Sequence, residues 1–158
     1  MTTHFTIAEI ESHRLCTKHG LPLSENRLPV HSPVNSPIST VAEWKMACDL
    51  LEQARARLGA PIVISCGYRS PRLNTAAGGV PTSQHQGFYN QKNPGGSRTR
   101  IQSIALDLQA ADIDRLAEIM ATLPHDQILI ETSGSTRWIH WSWNPYSRNR
   151  RQFIPINL

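Results

Sequence analysis

The segment Arg137-Trp138-Ile139-His140-Trp141-Ser142-Trp143 reads as a strand whose two faces differ in chemistry. Period-two alternation sets Trp138, His140 and Ser142 on one face, with Ile139, Trp141 and Trp143 on the other. Ile104-Ala105-Leu106-Asp107-Leu108 has the same design, with Ile104, Leu106 and Leu108 opposed to Ala105 and Asp107. Further upstream lies Ser83-Gln84-His85. Two histidines and an aspartate, each on or beside a strand, are the ligand set of a zinc site with one open position, although their spacing alone is equally that of ordinary surface or core residues.

The remaining pattern sets the fold class. Thr6-x-x-Glu9 and Thr40-x-x-Glu43 have capping-box spacing. The first predicts a helix from Ile7 to Lys18, closed by Gly20. The second opens the longest helix, Val41 to Leu58, with Val41, Trp44, Cys48, Leu51, Ala54 and Leu58 as its buried stripe and Gly59 as its stop. Between them, Pro22, Pro29, Pro33 and Pro37 mark residues 21–39 as an ordered loop or a wrapped arm.

Pro61 to Cys66 reads as a strand turned by Gly67, and Ser70-Pro71 opens a short helix to Ala76 before Gly78-Gly79. Residues 88–102 are polar, contain Pro94-Gly95-Gly96 and read as a long flexible loop. Ile113, Leu116, Met120 and Leu123 predict another amphipathic helix. Gln127 to Glu131 and Arg137 to Trp143 form a hairpin around Thr132–Thr136, with Gln127, Leu129 and Glu131 on one face. Helices interspersed with a terminal hairpin predict an α+β single domain over residues 1–158, with a small antiparallel or mixed sheet covered by helices.

Composition narrows the class. The chain has 158 residues, 39% of them hydrophobic, which suffices for one core, and it has no run able to span a bilayer. Met1-Thr2-Thr3-His4 lacks the pattern of a signal peptide, so the expectation is a protein made in the cytoplasm that would need separate release to act outside. The net charge of +4 suits an anionic partner such as cell wall or nucleic acid. Arg148, Arg150 and Arg151 read as a solvated tail rather than a nucleic-acid patch. The three cysteines, Cys16, Cys48 and Cys66, argue against a disulfide framework, and Cys48 and Cys66 read as small core residues. Cys16-x-x-His19 has no second pair and is taken as structural.

Ser65-Cys66-Gly67-Tyr68-Arg69-Ser70-Pro71-x-Leu73-Asn74, followed by Gly78-Gly79-Val80-Pro81-x-Ser83-Gln84-His85, resembles the zinc D-Ala-D-Ala carboxypeptidase superfamily. The likeness is to the peptidoglycan-peptidase branch common in bacteriophages and prophages. Asp126-Gln127-Ile128-Leu129-Ile130-Glu131 and Trp138-Ile139-His140-Trp141-Ser142 extend it, so that it runs from Phe5 to Trp143. The family keeps its first histidine and its aspartate seven positions apart. Here residues 88–102 are inserted between His85 and Asp107, and Ser103 stands where the family has glycine. Many relatives place the catalytic acid three positions before the last histidine, where this chain has Arg137.

The resemblance implies a hedgehog/DD-peptidase-like fold and one zinc ion held by His85, Asp107 and His140. The substrate would be a peptidoglycan stem peptide. It also implies Glu131 as general base and Arg69 at the scissile carbonyl or the substrate carboxylate, with Tyr68, Ser83 and Trp138 as substrate contacts. Each has a structural rival. Glu131 can pair with Arg137, and Arg69 can cap the Gly67 turn. Tyr68 can pack, Ser83 can hold the His85 loop, and Trp138, Trp141 and Trp143 can be core. The leading expectation is a phage or prophage lysis enzyme, released to the wall or carried in a virion. The alternatives are a non-catalytic wall-binding or virion module and a cytoplasmic D-Ala-D-Ala dipeptidase.

Overall fold

A computed structural model describes residues 4–155. Among the described residues, seven strands form two sheets. β1 (Val63–Cys66), β4 (Ile104–Gln109), β6 (Thr136–Trp143), β5 (Gln127–Ser133) and β7 (Gln152–Pro155) lie side by side in that order, and β2 (Phe88–Lys92) and β3 (Arg98–Gln102) make a separate hairpin. The large sheet is antiparallel except at β7, which runs parallel to β5. The expected α+β class with a mixed sheet is what the chain adopts.

Alternation splits this sheet into an apolar and a polar face. Ile64, Ile104, Leu106, Leu108, Ile128, Ile130, Ile139 and Trp141 are buried in one cluster with Trp44, Ala47, Cys48 and Leu51 of α3 (Val41–Leu58) and Leu116, Ile119 and Met120 of α5 (Ile113–Ala121). Trp141 and Trp143 stack within it at 6.2 Å between ring centroids. Both ends of α3 are fixed by sequence: the Thr40–Glu43 capping box is complete, and Gly59 takes the left-handed conformation at the stop. The turn between β5 and β6 is tighter than expected, because Ser133 pairs with Thr136 and leaves only Gly134 and Ser135 to reverse the chain.

Three expectations need correction. The helix foreseen over Ile7–Lys18 is broken into α1 (Ile7–Ile10) and α2 (His13–Lys18) at Ser12, which adopts φ 53°. The break lets Ser12 Oγ donate to Tyr68 O and accept from Gly67 N, both at 2.9 Å, so the helix junction clamps the end of β1. Residues 88–102 are not a flexible loop but the β2–β3 hairpin, paired from Phe88–Gln102 to Lys92–Arg98. Its ends meet where Gly87 O accepts from both Ser39 N and Ser103 N. Arg100 covers the buried Phe88 ring at 3.6 Å and donates to Ser36 Oγ, while Gln102 donates to Ile38 O, which joins the hairpin to the proline-rich arm.

The third correction concerns the C-terminal segment, which is not simply a solvated tail. Residues 152–155 add β7, and Arg150 is bound to Asp126, which has no exposed surface. Among the described residues, no helix is long and apolar enough to cross a membrane.

Candidate metal and active site

The polar face of the large sheet carries the chemistry. Asp107 of β4 lies directly opposite His140 of β6, and His140 lies opposite Leu129 of β5. His85 descends onto this row from a short 3-10 turn, Gln84–Gln86, and is only 2% exposed. Ser83 caps that turn through its hydroxyl, which accepts from His85 N at 3.3 Å. The Ser83 side chain therefore makes the local bond that shapes the His85 turn.

The Asp107 carboxylate sits between the two imidazoles. Asp107 Oδ1 is 3.3 Å from His85 Nε2 and 3.2 Å from His140 Nδ1, and the two imidazole centroids are 5.1 Å apart. Ligand atoms held about 2.0 Å from a tetrahedral zinc stand about 3.3 Å from one another, so the separation of Asp107 Oδ1 from each imidazole nitrogen fits that ion. His85 Nδ1 is 2.7 Å from Gly67 O. A carbonyl can only accept, so Nδ1 carries a proton and Nε2 turns its lone pair toward Asp107 and His140 when the ring is neutral. Such a backbone partner fixes the tautomer of a metal-ligating histidine.

A different close approach, to the backbone of Ile10, explains Gly67. A Cβ there would lie 2.3 Å from Ile10 O, so no larger residue fits without moving the helix junction. Electrostatics follow from the crowding. Burial opposes ionisation of Asp107, but His85 and His140 outweigh it and hold the carboxyl well below its ordinary range. Burial likewise opposes the charged form of His85, yet the Asp107 carboxylate wins and pushes the imidazole up.

Cys66 is the residue that sequence reasoning misplaced. Its thiol, with His85 and Asp107, forms a cluster whose ligand atoms lie within 4.8 Å of one another. A bulge in β1 shifts the register after Ile64, so that Cys66 pairs with Asp107 on the polar face instead of pointing into the core. The thiol sits 3.8 Å from His85 Nδ1, the nitrogen already engaged with Gly67. It therefore approaches His85 on the side away from Nε2.

The other expected residues are spread around this centre. Glu131 faces Trp138 one polar-face position along from the Leu129–His140 pair, and both are partly exposed. The rival pairing of Glu131 with Arg137 does not form, because Arg137 turns to Asp114 at 2.9 Å. The Glu131 side chain makes no hydrogen bond or ion pair among the described residues, while its backbone lies in the β5–β6 ladder. Arg69 lies beside the ligand turn, with its backbone N donating to His85 O at 2.9 Å. Its guanidinium reaches Asn74 Oδ1 from Nη1 at 3.3 Å, and its buried Nε has no partner. It does not cap the Gly67 turn. Gly79 leaves the space for this arrangement, since a Cβ there would meet Arg69 Nη1 at 2.7 Å.

Tyr68 is corrected to a core residue, 6% exposed and edge-on to Trp44 at 5.9 Å. Asp126 and His125, the nearest other candidates for a base, are both buried. Asp126 is saturated by Arg150 and Gln84, and His125 Nδ1 is 2.7 Å from Leu123 O.

The whole arrangement lies within residues 3–142, which match the family model of peptidase M15. The chain belongs to the peptidase M15 family. Members of this family are zinc-dependent peptidases, and a peptide substrate is what that membership implies for this chain. No curated protein and no solved structure matches it.

Proposed function

We propose that the chain is a zinc peptidase of the bacterial cell wall, hydrolysing peptide bonds in peptidoglycan stems or cross-links with zinc held by His85, Asp107 and His140. The observation that carries this reading is Asp107 Oδ1 touching both His85 Nε2 and His140 Nδ1 on the polar face of the sheet. Zinc, when bound, supplies a Lewis acid that polarises a carbonyl and brings the pKa of water down to about 7.

The chain's own residues do the rest. Glu131 has a free carboxylate on the same face. It takes a proton from the attacking water and delivers it to the leaving amine. Arg69, half-buried beside the His85 turn, meets the scissile carbonyl or a substrate carboxylate with its guanidinium. Trp138 flanks Glu131 and gives the stem peptide an apolar wall. A phage or prophage lysis enzyme is the role we propose for it, resting on the likeness of the Ser65–Asn74 and Ser83–His85 motifs to the peptidoglycan-peptidase branch common in bacteriophages.

Incubation of purified protein with sacculi tests the reading. Release of free amino groups that stops on chelation and returns with zinc is the expected result, and mass spectrometry of the fragments names the bond. Intact sacculi alongside rapid cleavage of free D-Ala-D-Ala would replace it with a dipeptidase. Binding to walls without any cleavage would replace it with a non-catalytic module.

A further inference from the structure

Arg150 lies outside the segment that matches the peptidase M15 family, which ends at residue 142. Its contacts nevertheless lead back to the metal-site turn. The Arg150 backbone N donates to Asp126 Oδ1 at 2.7 Å, and its Nε reaches the two Asp126 oxygens at 3.1 and 3.0 Å. Arg150 Nη2 adds a further bond to Asp126 Oδ2 and stands 3.5 Å from Gln84 Oε1.

Gln84 completes the connection. Its Nε2 donates to Asp126 Oδ2 and to Ser103 Oγ, each at 3.0 Å. Gln84 immediately precedes His85, and Ser103 begins the segment that continues into Asp107. Asp126 is also tied to the second histidine strand, because its N donates to Ser142 O at 2.6 Å. One buried residue thus joins the C-terminal segment and the His85 turn through its carboxylate and β6 through its backbone N–H. On its outer side the Arg150 guanidinium lies over the Tyr89 ring of the hairpin at 4.4 Å.

We infer that Arg150 is a positioning residue for the metal site: through Asp126 and Gln84 it fixes the turn that aims His85 Nε2 at Asp107 and His140. The inference rests on the zinc reading above. Outer partners of metal ligands commonly change affinity by about tenfold to a hundredfold when removed. A charge-assisted, multiply bonded contact suits this task better than the exposed pairs elsewhere on the chain, such as Arg115–Glu118.

The test is zinc affinity, measured by competition with a chelating dye on full-length protein. Circular dichroism first shows that each variant is folded at the assay temperature. Arg150→Gln is expected to weaken zinc binding about tenfold or more and to shift the visible spectrum of the cobalt-loaded protein. Arg150→Lys, which keeps the charge, is expected to recover part of the affinity. If Arg150→Gln fails to fold, the Asp126→Asn/Arg150→Gln double variant removes both charges and carries the same expectation. Zinc affinity and cobalt spectrum both unchanged in a folded variant would overturn the inference alone. A parent protein with no zinc affinity would overturn the metal reading and this inference together.

Discussion

Cys66 stands opposite Asp107, although uninterrupted alternation from the Ile64–Leu108 pair would place it opposite Leu106 in the core. The bulge therefore brings a thiol beside His85 and Asp107, on the side where His85 presents Nδ1, and under the proposed His85, Asp107 and His140 ligand set Cys66 is not a ligand. Cobalt-loaded protein is expected to lack an intense thiolate-to-metal charge-transfer band, and Cys66→Ala to retain full metal content. A strong band that vanishes in Cys66→Ala would replace His140 with Cys66 in the ligand set.

Glu131→Gln keeps shape and polarity but cannot take a proton. The fold and zinc content should persist while kcat on wall fragments drops by about a hundredfold or more. The alternatives nearest in sequence are already occupied, Asp126 by Arg150 and His125 by the hydrogen bond from its Nδ1 to Leu123 O. A near-normal kcat would move the base to a group outside β5.

The Asp126–Arg150 pair sets an acid limit on stability. Burial raises the Asp126 pKa, but the bonds from Arg150 and Gln84 outweigh it, so the folded value lies below the ordinary one. A depressed folded pKa contributes stability above the unfolded value, about 3.9, and that contribution is lost as pH falls through the folded value. Arg150→Ala leaves a buried carboxylate without its cation and should cost about 3 kcal/mol at pH 7. The difference from the parent, read from urea unfolding, should shrink as pH falls below about 4. A difference that is constant from pH 7 to pH 3 would show that the loss comes from packing instead.

The β2–β3 hairpin can be removed at its base, since Ser103 N already bonds to Gly87 O at 3.1 Å. Replacing residues 88–102 with a short glycine linker should preserve zinc binding and alter affinity or preference on sacculi. Loss of the covered Phe88 ring should lower the melting temperature. Unchanged kinetics on sacculi would confine the hairpin to a structural role. Loss of zinc would show that it holds His85 and Asp107 in place.

The features legible in the sequence were those governed by local rules. The capping boxes, the α3 stripe and the alternation in β4 and β6 follow from residues within a few positions of one another, and they placed Asp107 and His140 on one face. What escaped depends on distant partners. Nothing local in Ile7–Lys18 shows that Ser12 will bond to Gly67 and Tyr68, and so break the helix. The polar hairpin hid its pairing behind Pro94-Gly95-Gly96, with only Phe88 and Ile101 as apolar cues. Cys66 was assigned to the core because a bulge reverses facing without changing the residues that alternate. Arg150 looked like one of three tail arginines until Asp126 supplied its partner.

Zinc content of purified protein and of His140→Ala, measured by elemental analysis, bears most directly on the account. Removal of one of three ligands leaves two, which hold the ion poorly. The account predicts one zinc per parent chain and almost none in a folded His140→Ala variant. Full zinc occupancy in that variant would contradict it.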